Sequence, residues 1–326
     1  MYILGILFRR LIQGVFVVLF TALIIFTLLR VVPGDPVRLI VGGMAPDSVV
    51  EQIAQKMGLR DPIPVQFGRY LWLLGHGDLG QSYVRPKTGA VASGAEFVDP
   101  TKSQMASVGQ LILTRLPYTL QLATCAIAIA LIVSFAIGVP AGLAPGRWPD
   151  KVAFFISSMF VSIPSFWLAI VLALIITVRL QWLPSIGYRD LTYTILPAIV
   201  LSVEIIPFLV RTLTVSISQL MKEEFVTAGE VRGLPKHRIV SRHVLRNASV
   251  PLLNLLGVQI STLLGGVLVI EYIFDYPGLG QLTVNAVLQR DFPLIQGIAI
   301  LTSFIFVFVN IVVDIVATSI DPRMEY

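Results

Sequence analysis

Few side chains in this sequence could do chemistry. It has three histidines, His76, His237 and His243, and one cysteine, Cys125. A lone cysteine inside an apolar run can form neither a disulfide within the chain nor a metal site. His76 falls far from the other two histidines, so they make no ligand cluster. No Gly-x-x-x-x-Gly-Lys-Ser/Thr phosphate loop, His-Glu-x-x-His or Gly-x-Ser-x-Gly occurs. "NAS" at Asn247 matches a glycosylation sequon, which has no meaning on a cytoplasmic segment. What remains is Glu204, three residues before Pro207, and Asp314, one turn after Asn310; both sit in apolar stretches. Burying such groups in lipid is costly. They read either as a proton or ion relay or as hydrogen-bonded structural pairs. A relay needs several such groups, and this chain is poor in them.

The elements that must hold these residues are set by composition. Of 326 residues 56% are hydrophobic and only 13% charged, against about 25% charged in soluble domains. Runs of about 20 apolar residues span a bilayer. Six spans are expected, over residues 11–29, 117–143, 152–178, 191–210, 251–274 and 294–318. The first follows Arg9 and Arg10, lacks a small-residue cleavage site after its apolar run, and reads as an uncleaved span. The net charge of +5 is read as basic residues in cytoplasmic loops rather than as nucleic-acid binding. The tip APGRWPDK, with Arg147 and Lys151, and the basic stretch 211–250 then lie in the cytoplasm, as do both termini. The segment 32–115 lies outside. Its eight basic and seven acidic residues nearly cancel, and long loops are largely exempt from the charge rule. Within it, "APDSVVEQIAQKMGL" has helical spacing. Residues 85–107 read as a flexible insertion of small and polar residues.

Small residues recur at every fourth position. Ala126, Ala130, Ser134, Gly138 and Gly142 do so in the second span, and Gly257, Ser261 and Gly265 in the fifth. Such a stripe lets helix backbones approach closely; lining of a pathway is the alternative. Pro164 and Pro207 can bend helices at depth, as static kinks or as part of alternating access.

One stretch breaks the pattern. "EEFVTAGEVRGLPKHRIVSRHVLRNASV", residues 223–250, carries five Lys/Arg, three Glu and two His between two apolar runs. Phe225, Ala228, Val231 and Leu234 mark one apolar edge; Ile239, Val240, Val244 and Leu245 mark another. Gly233, Leu234 and Pro235 lie between them, where Gly permits a sharp turn and Pro starts a new helix. The stretch reads as a helix–turn–helix, either resting on lipid headgroups or docking a cytoplasmic partner.

This stretch resembles the cytoplasmic "EAA" loop of ATP-binding-cassette importer permeases. Thr227, Ala228 and Gly229 occupy the Glu-Ala-Ala triplet and Gly233 the glycine, so the match to the general pattern is partial. The match to the dipeptide/oligopeptide (peptide/nickel) subfamily, first-permease or B-type subunit, is closer: "EFVTAGEVRGL" and "RHVLRNA" both read like it. Further likenesses run in order: RVVPGDP (30–36), GDLGQSY (77–83), RLPYTLQLA (115–123), SIPSFWLAI (162–170), WLPSIG (182–187), ILPAIVLS (195–202), EYIFDYPGLGQL (271–282), RDFPLIQGIAIL (290–301) and VDIVATSIDPR (313–323).

The resemblance implies an all-α membrane protein with six spans, not an enzyme. Residues 1–32 form a tail and first span, 33–116 an extracytoplasmic region, and 117–326 the core, with a coupling loop at 211–250. It implies a second permease, two ATPase subunits that bind ATP and Mg, an extracytoplasmic binding protein and lipid as partners, and no nucleic acid. No cofactor or metal is expected in this chain itself. The location implied is a bacterial or archaeal cytoplasmic membrane. Glu224, Phe225, Thr227, Ala228, Gly229, Arg232, Gly233, Leu234, Arg242, His243 and Arg246 would meet the ATPase. Gly77, Asp78, Gly80, Asp275, Pro277, Gly278 and Gly280 would form outer loops at the pathway mouth, with "DYPGLGQL" as a tight turn and short helix. Two other classes stay open on residues alone. An ion-coupled transporter needs inverted repeats and several intramembrane carboxylates. A membrane enzyme needs a nucleophile–base or metal pair, and none is visible. Dipeptides, oligopeptides, glutathione, nickel chelates and some sugars are all carried by members of the resembled family.

Overall fold

A computed structural model describes residues 2–31, 37–38, 45–86 and 105–320. Most of the expected insertion at 85–107 therefore lies outside the described residues; its two ends, Gln81–Pro86 (β1) and Met105–Ser107 (β2), pair as an antiparallel ribbon. The helices in chain order are α1 Tyr2–Val31, α2 Asp47–Lys56, α3 Ile63–Gly75, α4 Val108–Leu143, α5 Trp148–Ser162, α6 Ser165–Leu172, α7 Thr192–Leu220, α8 Glu224–Val231, α9 Lys236–Ile239, α10 Leu245–Ile273, α11 Leu279–Leu288 and α12 Phe292–Ile320. Two units result, and they cut across chain order: 1–117 with 278–307, and 118–277 with 308–326.

Four helical segments are long and apolar enough to cross a membrane: Phe8–Arg30, Val108–Leu143, Thr192–Leu220 and Phe292–Val316. Two bent pairs bring the number to six if each is one span. Helices overrun the apolar runs that predict them, because backbone hydrogen bonding continues past the lipid. α4 has 36 residues, about 54 Å at 1.5 Å per residue, against roughly 30 Å of hydrocarbon.

The expected third span, 152–178, is not one helix. α5 and the helix starting at Ser165 meet at 93°. Pro164 cannot donate a backbone hydrogen bond, and it forces Ile163 out of the helical region (φ −96°, ψ 118°). Past α6 the helix widens into π turns over Ala173–Arg179. Pro207 behaves differently: it lies inside the unbroken α7, as does Pro197.

In the second unit α7 is the enclosed element, with 72% of its apolar window buried, against 28% for α4. The small-residue stripe of α4 explains part of this. Ala126, Ala130 and Ser134 are fully buried. A Cβ on Gly138 would lie 2.9 Å from Leu213 Cβ, and one on Gly142 would lie 2.7 Å from Ile217 Cβ and 2.9 Å from the Thr214 carbonyl. Only glycine permits α4 and α7 to approach this closely. In α10, Gly257 sits against Val313 at 2.9 Å, and Ser261 accepts a 3.4 Å hydrogen bond from the Asn310 amide. Gly265 departs from the expected stripe: nothing lies within 4 Å of its Cβ position, whereas a Cβ on Gly266 would lie 3.0 Å from a Glu204 carboxylate oxygen.

Gly142→Val is therefore expected to lower the stability of the detergent-solubilised protein by about 1–3 kcal/mol through overpacking. Gly265→Ala, which fills open space in a helix, should leave it unchanged or slightly raised. Fluorescence-detected thermal unfolding measures both.

Candidate functional site

The charged stretch folds back on itself. α8 begins at Glu224, an acidic side chain in the first turn, where the helix dipole favours it. It ends at Arg232, and Gly233 takes the left-handed conformation (φ +71°). Pro235 then precedes α9. The Leu234 amide donates to the Gly229 carbonyl at 3.0 Å, closing the turn. A Cβ on Gly229 would sit 3.1 Å from Ile239 Cδ1, so the two arms touch at a glycine.

The expected apolar edges are corrected by this packing. Ile239, Val240 and Val244 are buried, so the second edge is consumed inside the chain. On the first arm Val226 and Gly229 face inward, Phe225 and Leu234 are half-buried, and Ala228 is exposed. Val231 is 84% exposed. Nor is the second arm a separate helix. It passes through π turns at Val240–Val244 into α10. Val240, Val244, Ala248, Leu252 and Leu256 are all buried at a spacing of four. A pure α-helix drifts by about 40° every four residues, and a wider π turn offsets that drift. Thr227, Arg232, Arg242, His243 and Arg246 are left exposed. The Phe225 and His243 rings lie 6.5 Å apart.

In the first unit, the expected mouth residues Gly77, Asp78 and Gly80 form a turn. Gly77 and Gly80 have φ of +76° and +85°, and Asp78 Oδ1 accepts from the Gly80 amide at 2.9 Å. The next residues are held by a carboxylate that the sequence did not single out. Asp291, fully buried, accepts from the Tyr83 amide at 3.0 Å and from the Ser82 hydroxyl. It sits just before α12, at the positive end of the helix dipole. Gly278 precedes α11, in which Gly280 is buried.

In the second unit, Asp275 turns the chain with φ +49°, and the Tyr276 amide reaches back to the Glu271 carbonyl at 2.8 Å. Burial pushes the Tyr276 phenol up to about 12, so it stays neutral and bonds Thr194 at 3.1 Å. The rings of Tyr118, Tyr188 and Tyr276 cluster edge-on, with centroids 5.0 to 6.4 Å apart. Glu271 is fully buried and accepts from the Thr119 hydroxyl at 2.7 Å. Both Glu271 and Asp291 lie in stretches the sequence reading quotes, EYIFDYPGLGQL and RDFPLIQGIAIL. A carboxylate at the edge of an apolar run was the available signal.

Glu204 differs from both. It is exposed on α7 and has no hydrogen-bond or ion-pair partner among the described residues. Its carboxylate lies over Gly266, beside the point where α10 bends by 49° between Leu263 and Gly265. Among the described residues no three His, Cys, Asp or Glu side chains converge as a metal site would need. Among the described residues no hydrogen bond pairs a nucleophile with a base.

Comparison with known proteins gives the family. Residues 134–326 match the family model "Binding-protein-dependent transport system inner membrane component", and residues 3–123 match its N-terminal companion. The chain belongs to this family of importer permeases. A putative peptide transport system permease protein of Brucella abortus (strain 2308) is 36% identical over 330 residues, covering 99% of each chain. A glutathione transport system permease protein of Salmonella paratyphi A is 32% identical over 318 residues, covering 98% of each. Among solved structures, a chain of the inward-facing MetNI methionine ABC transporter superposes with a TM-score of 0.51 at 19% identity, over 65% of this chain and 96% of that one. At that identity the likeness speaks to fold.

Thr119→Val would remove one donor to buried Glu271. The expected cost is about 1–3 kcal/mol, read as a lower thermal midpoint in detergent. Thr119→Ser, which keeps the hydroxyl, should recover most of it.

Proposed function

We propose that this chain is one of two permease subunits that enclose a path for di- or oligopeptides, or a related small solute, across a cytoplasmic membrane. The observation that carries the reading is Glu204. A carboxylate facing acyl chains in mid-span costs about 2.5–3.5 kcal/mol on insertion scales. Its exposed position in the middle of α7, on the side that also shows Phe208, Arg211 and Val215, is accounted for if a second permease and a water-filled path cover that face. A carboxylate there suits the ammonium group of a peptide. The relatives' names, peptide in one case and glutathione in the other, support a peptide-like solute.

The remaining roles follow from the same reading. Two ATPase subunits, which bind ATP and Mg, dock against the exposed side of 223–246, where Val231 and Ala228 stand clear between Arg232, Arg242, His243 and Arg246. Closure of the ATPases on ATP moves this loop and, through it, the spans. The loops around Gly77, Asp78 and Gly80, and around Asp275 and Pro277, face a binding protein on the other side. Both termini lie with the ATPases in the cytoplasm.

Tagged purification from native membrane in mild detergent, with mass spectrometry, tests the assembly. An ATPase chain carrying a phosphate loop and a second six-span permease should come along; recovery of this chain alone would sink the proposal. Glu204→Gln should cut peptide uptake about tenfold or more, the effect of losing one charge-assisted contact of roughly 1.5–3 kcal/mol, without lowering the amount of complex. At Gly233, φ is +71° and the amide bonds the Glu230 carbonyl at 2.9 Å; proline can supply neither. Gly233→Pro should leave insertion intact and abolish substrate-stimulated ATP hydrolysis, and normal stimulation would count against the coupling role. Cysteines replacing Lys236 and Lys56 should react with impermeant reagents from opposite sides of the membrane.

A further inference from the structure

Arg211 is a charge that the proposed function leaves unused. It lies on α7, seven residues after Glu204, and like Glu204 it is exposed. A helix turns about 100° per residue, so seven residues bring the chain back to within about 20° of the same direction. Phe208 and Val215, each 47% exposed, continue the stripe. Arg211, like Glu204, makes no hydrogen bond or ion pair among the described residues. One side of α7 thus presents a carboxylate, an aromatic ring and a guanidinium in order. The two charged residues are set about 10.5 Å apart along the axis, at 1.5 Å per residue.

The same side of α7 borders open space. A cavity of about 560 Å³ lies between α7 and α5 within the second unit. Phe208, Arg211 and Val215 line it from α7. Asp150, Phe154, Ser158 and Val161, which share one face of α5, line it opposite. Glu204 stands one turn beyond its Phe208 edge. Asp150 is the other charged group on the wall, and it is committed to its own helix. It sits in the first turn of α5, and its Oδ2 accepts from the Gly146 amide at 2.8 Å. It makes no ion pair with Arg211, so the guanidinium is left for something that enters the cavity.

A short peptide in water is a zwitterion, with an ammonium group at one end and a carboxylate at the other. Three extended residues reach about 10–11 Å, which matches the spacing on α7. A guanidinium holds both oxygens of a carboxylate at once. We propose that Arg211 takes the terminal carboxylate of the peptide whose ammonium group meets Glu204, with Phe208 against the chain between them. This permease then favours zwitterionic peptides of about three residues. The inference rests on the reading of Glu204 as facing the path. A lone carboxylate would suit any small cation; the pair on one stripe adds a second sign and a length.

The test compares uptake of radiolabelled trialanine and of trialanine amide, which lacks the terminal carboxylate. Cells carry the wild type or a variant in place of their own copy, and uptake by the deletion strain is subtracted. Concentrations are set high enough for measurable uptake of the amide, and the amount of complex is checked in each strain. Arg211→Gln should lower trialanine uptake about tenfold, the effect of one lost charge-assisted contact. It should leave uptake of the amide as in the wild type, because the amide has no carboxylate to lose. Arg211→Lys, which keeps the charge, should fall between. Across alanine peptides of two to five residues, the loss with Arg211→Gln should be greatest at three. The partner subunits are the same in every strain, so their own preferences cancel in the ratio of variant to wild type. Equal losses on trialanine and its amide would mark Arg211 as an arginine that only meets lipid phosphates or holds the fold, and would overturn the inference. So would no loss on either. With either result, a loss of trialanine uptake in Glu204→Gln would leave the peptide reading standing. No trialanine uptake by the wild type would sink both.

Discussion

The second unit depends on how closely α4 can lie on α7. With Gly138 and Gly142 at the contact, Leu213 and Ile217 fill the space where side chains would otherwise stand. In lipid there is no hydrophobic drive between helices, since acyl chains are as apolar as leucine. Close contact and dispersion must supply the cohesion, and these grow only if backbones approach. Packing leaves one side of α7 open, where Glu204 and Arg211 stand beside exposed Phe208 and Val215.

Three carboxylates near or inside apolar segments have two different fates. Glu271 and Asp291 are fully buried and are met by hydroxyl or amide donors. They tie distant stretches together and read as structure. Glu204 faces out with no such donor among the described residues. Burial without a partner is too costly to persist, so an unpaired carboxylate must have water, solute or another chain within reach. Composition alone cannot show this contrast.

Hydropathy made the spans legible, because a run of apolar residues has few alternatives in a bilayer. The turn at Gly233 was legible too, from the residue types that tolerate it. The break at Pro164 was not. Pro197, Pro207 and Pro251 all sit inside continuous helices, so the proline alone does not decide; packing around it does. The partners of Glu271 and Asp291 are 152 and 209 residues away in sequence, beyond any local pattern. The loop's apolar edges were visible, but which of them the chain would cover itself depended on a fold-back that brings Gly229 onto Ile239. The slip from Gly265 to Gly266 has the same cause: spacing picks out a face only to within a residue once a helix bends.

The continuity of α9 with α10 has a mechanical meaning. From Lys236 to Leu263 the chain is one helical rod, about 40 Å long at 1.5 Å per residue. Turning such a rod by 5° about its base displaces its far end by about 3.5 Å. That end is where the helix bends and where Gly266 lies under Glu204. The rod takes in the π turns at Val240–Val244 and Pro251, and it joins the charged turn to the place where Glu204 lies over Gly266.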